Sequence, residues 1–96
     1  MQIIWAEETK KDFRRIRNFL IPENPNAASK AVLTIREKTR ILSTHPESGT
    51  ALNDKTNRRE LYIKFGKNGY TLRYVPDYDT QTIQILRVWH TRKNRK

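Results

Sequence analysis

The sequence predicts one α+β domain over residues 1–96, in which a helical hairpin packs on a twisted, mainly antiparallel sheet in the order βααβββ. Two observations support this fold class. Apolar residues recur at helical spacing in the first half of the chain and at every second position in the second half. A length of 96 residues allows one hydrophobic core and is too short for two.

The first half begins with a β-prone stretch, QIIW at residues 2–5, which leads into a predicted helix over 6–20. Phe13, Ile16 and Leu20 share one face of this helix, which is the pattern of a helix packed on a core. The sequence PENP follows directly and ends the helix. A first strand followed by an amphipathic helix is therefore expected.

A second helix is predicted to begin after Asn24, which can act as its N-cap, with Pro25 at the first helical position. Apolar residues keep helical spacing down to Leu42. Residues 43–57 contain Pro, Gly, Asn, Asp and Ser without periodicity, and they are predicted to form a connecting loop. The two helices should form an antiparallel hairpin.

The second half predicts three strands, at 60–65, 70–74 and 82–89. The first two should be joined by a turn at Asn68-Gly69, and the last two by a turn over 75–81. Because a one-residue step moves a side chain to the opposite face, parity assigns each strand residue to one side of the sheet. The face against the helices is expected to hold Leu61, Ile63, Phe65, Tyr70, Leu72, Tyr74, Leu86 and Val88. The opposite face is expected to hold Tyr62, Lys64, Thr71, Arg73, Ile83, Ile85, Arg87 and Trp89.

Composition limits the possible functions. Twenty Lys and Arg against ten Asp and Glu leave a net charge of +10, which predicts a polyanionic or acidic partner such as nucleic acid, a ribosome, an anionic membrane or an acidic protein. The absence of cysteine and the presence of only two histidines argue against a metal site or cofactor. With no apolar stretch of about 20 residues and no secretory signal, a cytoplasmic location is expected.

The predicted outer sheet face combines cations with aromatic residues. Lys64, Arg73 and Arg87 lie on three different strands and alternate with Tyr62 and Trp89. Such a surface could hold phosphates and stack bases, or bind an acidic peptide. The competing interpretation is a solvated sheet face without a ligand.

Residues at the ends of these strands are further candidates. Arg59 precedes the first strand of the second half and is either a binding residue or a solubilising charge. His90 and Arg92 follow the last strand and begin a basic tail that continues through Lys93, Arg95 and Lys96. No Asp or Glu follows His90 to orient its ring, so residue chemistry alone favours a structural histidine. No nucleophile motif, phosphate-binding loop or carboxylate pair is present, and catalytic residues are not assigned.

Four segments in this order, NPNAA, RREL, GYTLRY and ILRVWHTRKN, resemble the ParE/RelE toxin superfamily over nearly the whole chain. The closing segment looks most like the ParE branch. The resemblance implies a type II toxin–antitoxin system, with growth inhibition and plasmid stabilisation as expected roles. In such a system a cognate antitoxin, encoded by an adjacent gene, holds the toxin inactive in a hetero-oligomer. Members are either ribosome-dependent mRNA endonucleases of the RelE kind or ParE-like toxins that act on DNA gyrase.

The resemblance also bears on catalysis. In the endonuclease branch an arginine of the motif Gly-Tyr-Arg-Leu-Val-Tyr contributes to the catalytic site, and Thr71 takes its place here. Of that branch's strand-two lysine pair, Lys64 matches the second and Tyr62 replaces the first. The family arginine just beyond the last strand falls at Thr91.

The resulting expectation is a non-enzymatic inhibitor of DNA gyrase, with His90, Arg87 and Arg92 as a recognition edge. A ribosome-dependent endonuclease acting on mRNA is the first alternative, and a non-toxic basic nucleic-acid-binding module is the second. No membrane partner is expected.

Overall fold

The computed structural model describes residues 1–92, and it confirms the predicted α+β class with a helical hairpin on a mainly antiparallel sheet. The predicted basic tail at Lys93, Arg95 and Lys96 lies outside the described residues. The elements are β1 (Gln2–Trp5), α1 (Glu7–Leu20), α2 (Pro25–Thr39), a short 3-10 helix (Arg40–Ser43), β2 (Thr50–Ala51), β3 (Arg59–Phe65), β4 (Asn68–Asp77) and β5 (Thr82–His90). Within residues 1–92, none of the helices has the length and apolar character needed to span a membrane.

The five strands form one sheet in the order β1-β5-β4-β3-β2, in which β1 runs parallel to β5 and the other neighbours are antiparallel. Strand β2 and Ser43, the last residue of the 3-10 helix, fall inside the predicted loop over 43–57, so that prediction was wrong at three residues. Thr50 and Ala51 pair with Glu60 and Arg59 of β3. Two residues are too few to show a periodicity in the sequence.

The helices form as their caps and spacing predict. The side chain of Asn24 accepts a hydrogen bond from the Ala27 amide at 3.1 Å, with Pro25 at the first helical position. Ala28 and Ala31 are buried and, having small side chains, let α2 approach its neighbours closely. The helices and sheet enclose a core of Phe13, Ile16, Ala31, Ile35, Leu42, Ile63, Tyr70, Leu72, Tyr74, Ile83, Ile85 and Val88.

The turn between β3 and β4 is Gly66-Lys67, so the predicted turn at Asn68-Gly69 was wrong. Phe65 pairs with Asn68, which closes a two-residue loop, and Gly66 has the positive φ of 61° that such a loop requires. Gly69 lies within β4 instead. A Cβ at Gly69 would stand 2.5 Å from a carbonyl oxygen of β3, so the close approach of the two backbones explains this glycine.

A β-bulge in β5 reverses part of the predicted facing. Tyr74 pairs with Ile85 and Arg73 pairs with Arg87, so Leu86 is an extra residue without a direct partner on β4. Counting every second residue through Leu86 therefore assigns the residues of β5 before it to the wrong face of the sheet. The predicted facing was wrong for that part of the strand for this reason. The buried residues of β5 that belong to the core are Ile83, Ile85 and Val88.

Helix α1 closes the edge of β5 where β1 ends. Strand β1 pairs with β5 only as far as Ile85. Beyond that point the Thr9 hydroxyl donates to the Ile85 carbonyl at 3.0 Å, and the Asp12 carboxylate accepts from the Val88 amide at 2.9 Å. Both side chains are buried. Two polar residues one helical turn apart thus replace a neighbouring strand as partners for the backbone of β5.

Candidate functional site

The structure divides the eight predicted site residues among four places. Tyr62, Lys64, Arg73 and Trp89 lie on the sheet face away from the helices, called the outer face below. Arg87 turns to helix α1, and Arg59 contacts the loop before β2. His90 and Arg92 line a groove beside α1. A single surface holding all eight is not formed.

Arg73 on the outer face is paired. Its Nε and Nη2 donate to Glu60 Oε2 at 3.0 and 2.7 Å across the β3–β4 ladder. Its guanidinium carbon lies 5.1 Å from the centre of the Trp89 ring, a cation–π distance. The side chain is 17% exposed, so Arg73 is not an unpaired cation on the outer face.

Arg87 is also neutralised by a carboxylate. Its Nε and Nη2 donate to Asp12 at 2.9 and 3.0 Å, and the same carboxylate accepts from the Val88 amide and from Arg15. Burial raises the pKa of Asp12, but the hydrogen bonds from Arg87 and Val88 outweigh burial and hold that pKa below its usual value. Because Arg87 follows the bulge at the strand edge that α1 covers, it reaches the helix. Lys64, Arg73 and Arg87 therefore do not form a set of unpaired cations on one sheet face.

Arg59 holds a loop in place. Its Nε donates to the Gly49 carbonyl at 2.9 Å and its Nη2 to the Glu47 carbonyl at 3.1 Å. The Tyr74 hydroxyl fastens the same loop by donating to the Pro46 carbonyl at 2.7 Å and accepting from the Gly49 amide at 2.9 Å. These contacts give Arg59 a structural role in the connection between the 3-10 helix and β2.

The rest of the outer face around Lys64 is neutral. Tyr62 and Thr71 are direct cross-strand partners, and the hydroxyl oxygens of Thr71 and Thr91 are 3.1 Å apart. The structure thus brings Tyr62, Thr71 and Thr91 together, and none of these three side chains carries a charge. Lys64 is exposed and makes no ion pair with any residue in the described part of the chain.

A groove of about 650 Å³ lies between α1 and the adjoining ends of β4 and β5, and it is called the α1 groove below. Phe19 projects from α1 at its rim and is 78% exposed. The His90 ring meets the Tyr70 ring edge to face, with 5.5 Å between ring centres. The apolar lining includes Ile16, Phe19, Tyr70 and Val88, and the cationic side chains are Arg15 and Arg92.

Sequence reasoning missed Asp12 and Phe19. A signal existed for both residues, because Asp12 adjoins Phe13 and Ile16 on the apolar stripe of α1, and Phe19 lies one turn beyond Ile16 on the same helix. A carboxylate on an apolar stripe indicates a buried polar contact. Glu60 gave no comparable signal, because its pairing with Arg73 depends on strand register.

The described residues offer no metal site, since no three His, Asp or Glu side chains within 1–92 are placed to hold one ion together. The α1 groove contains one histidine and one carboxylate, and the carboxylate of Asp12 is already engaged by Arg87 and Val88. The arrangement can bind apolar and acidic groups through its lining and its cations.

Comparison with known proteins identifies the family. The sequence profile of the family described as "ParE toxin of type II toxin-antitoxin system, parDE" matches residues 3–95. Toxin RelE3 of Caulobacter vibrioides is 32% identical over 88 residues, which cover 90% of this chain and 89% of the relative.

Two solved structures share the fold. The chromosomal ParDE system of P. aeruginosa contains a chain with a TM-score of 0.72 and 21% identity, covering 94% of this chain and 95% of that chain. The intact RelBE toxin–antitoxin complex of E. coli gives a TM-score of 0.60 and 16% identity, covering 91% of this chain and 92% of that chain. On the profile match and the curated relative, this chain belongs to the ParE toxin family, within the ParE/RelE superfamily of type II toxin–antitoxin toxins.

Proposed function

We propose that this toxin acts in the cytoplasm as an inhibitor of DNA gyrase, and that an acidic antitoxin neutralises it. The observation that carries the choice of target is the neutral cluster on the outer face. Tyr62, Thr71 and Thr91 stand together where the endonuclease branch has cations.

The chemistry of RNA cleavage supports this choice. A metal-free site must activate the 2′-hydroxyl and stabilise charge on the phosphorus centre, and each preorganised electrostatic contact that is lost costs on the order of 10²-fold or more in rate. Arg73 and Arg87 cannot readily replace the missing cations, because each is held by a carboxylate, Glu60 or Asp12. Redirecting either arginine would leave its buried or half-buried carboxylate without its main partner.

One observation favours the endonuclease as a second candidate. Lys64 matches the endonuclease branch in register, is exposed on the outer face and has no ion-pair partner within residues 1–92. A single lysine can contribute electrostatic stabilisation but leaves general-base and general-acid roles unfilled. The gyrase inhibitor therefore remains the preferred function.

The test of the target uses purified toxin in two parallel reactions. We expect gyrase supercoiling to be blocked, while mRNA on translating ribosomes stays intact at the same toxin concentration. Cells that express the toxin should filament and show DNA damage signalling. Codon-positioned mRNA cuts with unaffected supercoiling would establish the endonuclease instead.

The proposed antitoxin contact is the α1 groove. The net charge of +10 favours an acidic partner, and the ParDE and RelBE structures that share this fold are toxin–antitoxin complexes. Phe19 offers a large exposed apolar side chain in the groove that Arg15 and Arg92 also line. An antitoxin segment that buries Phe19 and places acids near the two arginines would satisfy both features.

Phe19→Ser tests this contact, with Leu33→Ser as the matched control. Both residues are exposed apolar side chains on helices, at 78% and 61%, but Leu33 lies on α2 and does not line the groove. Burying a phenylalanine contributes about 1.5–3 kcal/mol, so Phe19→Ser should weaken antitoxin binding by roughly 10- to 100-fold. Leu33→Ser should leave binding unchanged in a titration of purified toxin with antitoxin. Equal weakening by both changes would refute the groove assignment.

A further inference from the structure

The helical hairpin carries cations that lack carboxylate partners. Arg14 and Arg17 on α1 and Arg36 on α2 are exposed. None of these three makes an ion pair with any residue in the described part of the chain. The hairpin differs in this respect from the sheet, where carboxylates hold the arginines of β4 and β5.

Arg36 is held in place by two aromatic rings. Its guanidinium carbon lies 5.3 Å from the centre of the Trp5 ring and 5.2 Å from the centre of the Phe13 ring. Both are cation–π distances, so the rings restrict the side chain without neutralising its charge. The contacts occupy the face of the guanidinium group, and its N–H groups lie along the edge of that plane.

The same phenylalanine shows that the three arginines lie together. Arg17 comes four residues after Phe13, which makes it a neighbour of Phe13 on the same side of α1. Arg14 lies one turn before Arg17. Because Arg36 rests on the Phe13 ring, its guanidinium group is placed beside this side of α1.

Lys10 extends this side of α1 by one turn. It contacts Glu7 at 2.8 Å, but both side chains are more than half exposed, so the pair is weak. Arg15 and Phe19 lie two residues before and after Arg17, on the opposite side of the helix, where they line the α1 groove. The cationic area separate from that groove, called the hairpin surface below, consists of Lys10, Arg14, Arg17 and Arg36.

We propose that the hairpin surface binds the phosphate backbone of double-stranded DNA. The planar fork of a guanidinium group matches the oxygens of a phosphate. Lys10 and Arg17 are separated by about 10 Å along the axis of α1, and a DNA strand carries about three phosphates over that length. The inference goes beyond the proposed function, because the toxin would bind DNA without gyrase and without the antitoxin.

Charge and composition favour DNA over an acidic protein. A protein partner takes most of its binding energy from a buried aromatic or aliphatic anchor, and all four members of the hairpin surface are cations. Leu33, one turn before Arg36, is the neighbouring exposed apolar side chain on α2, so a protein partner would bury it. A phosphate backbone needs only cations, and the net charge of +10 adds attraction at longer range.

Fluorescence anisotropy with purified toxin and a labelled DNA duplex of about 20 base pairs tests the proposal, with salt varied between about 50 and 200 mM. We expect the logarithm of the binding constant to fall linearly with the logarithm of the salt concentration. The slope should be about −3, because each of three or four neutralised phosphates contributes about −0.9. Two duplexes of unrelated sequence should bind equally, since phosphate contacts carry no sequence information.

Two double variants separate the hairpin surface from total charge. Arg14→Gln combined with Arg17→Gln removes two cations from this surface and keeps good helix formers in α1. The control combines Lys38→Gln, on the opposite side of α2 from Arg36, with Lys55→Gln in the loop before β3; both lysines are exposed. The hairpin double should weaken DNA binding at least about 10-fold and reduce the slope by about 2, while the control changes the affinity less than about 3-fold. Thermal unfolding checks that both are folded.

Arg36→Lys tests the stacked guanidinium group. Lysine keeps the charge but cannot form the planar fork or the same stack on the two rings. We expect about 3-fold weaker DNA binding with a folded protein. An affinity equal to that of the parent would overturn the role given to the stack.

Four other results would overturn the inference. Equal weakening by the two double variants would show that total charge, and not the hairpin surface, attracts DNA. An RNA duplex of the same sequence that binds about 10-fold more tightly would replace DNA by RNA. If the hairpin double and Leu33→Ser weaken antitoxin binding while DNA binding is unchanged, an acidic protein occupies the surface. Blocked gyrase supercoiling without DNA binding would refute this inference and leave the proposed function intact, whereas DNA binding with untouched supercoiling would do the reverse.

Discussion

Replacing Asp12 by Asn should strongly destabilise the toxin, because one buried carboxylate joins α1 to β5. The Asp12 side chain is 1% exposed and accepts hydrogen bonds from Arg87 at 2.9 and 3.0 Å and from the Val88 amide at 2.9 Å. Arg15 adds a further contact at 3.1 Å. An asparagine amide supplies one acceptor oxygen and no charge, so at least one of these donors must then face an NH2 group.

The magnitude follows from burial. Breaking a buried ion pair by removing one partner costs about 3–5 kcal/mol. The lower end applies here, because the Arg87 side chain is 29% exposed and can recover some hydration. A loss of about 3 kcal/mol corresponds to a decrease in Tm of roughly 12–24 °C for a domain of this size.

Thermal and urea unfolding followed by circular dichroism measure this effect. Asp54→Asn is the matched control, because it makes the same chemical change in a half-exposed pair with Arg58, and it should shift Tm far less. Combining Asp12→Asn with Arg87→Ala should reveal a coupling of about 1 kcal/mol or more. Equal Tm shifts for the two Asn variants, or strictly additive effects of Asp12→Asn and Arg87→Ala, would refute the account.

Three further predictions concern pH, a loop and a backbone contact. The folded-state pKa of Asp12 is lowered, so the stability that ionised Asp12 contributes to the fold should be complete above the unfolded-state pKa of about 3.9 and be lost as pH falls through the lower folded value. In an acid titration, the free energy of unfolding of Asp12→Asn should therefore fall less steeply with pH than that of the parent. Identical slopes for the two proteins would contradict this. Tyr74→Phe removes the donor to the Pro46 carbonyl and the acceptor of the Gly49 amide, and urea unfolding should register a loss of about 1–3 kcal/mol. In Gly69→Ala the new Cβ would approach a β3 carbonyl to 2.5 Å, so the strands must separate locally; a lower Tm by calorimetry is expected, and an unchanged Tm would show that the ladder adapts without strain.

Local sequence patterns were sufficient for the two α-helices, for every strand except β2, and for the order of these elements. The helices follow from apolar spacing and from a cap that the structure contains, the Asn24 side chain bonded to the Ala27 amide. Alternation identified β3 and β4, because a strand that is buried on one face needs apolar residues at every second position, and an apolar run identified β5. These signals act over a few residues, and nothing distant in the chain has to be known to interpret them.

The facing of β5 could not be obtained in the same way. The extra residue Leu86 changes which side of the sheet every residue before it occupies, and a bulge of one residue leaves no mark on an apolar run. The predicted facing was wrong at Ile83 and Ile85 for that reason.

The state of the cations also depended on tertiary structure. The sequence alone determined the fold class, the strongly positive charge and the resemblance to a toxin superfamily, all of which depend on local pattern or composition. Tertiary structure decided that Arg73 pairs with Glu60 across a strand register, and that Arg87 pairs with Asp12, 75 residues away in the chain. It likewise decided that Arg36 rests on the rings of Trp5 and Phe13 instead of pairing with a carboxylate. A charge can be counted from sequence, but whether it is neutralised is set by the carboxylate that the folded chain brings to it.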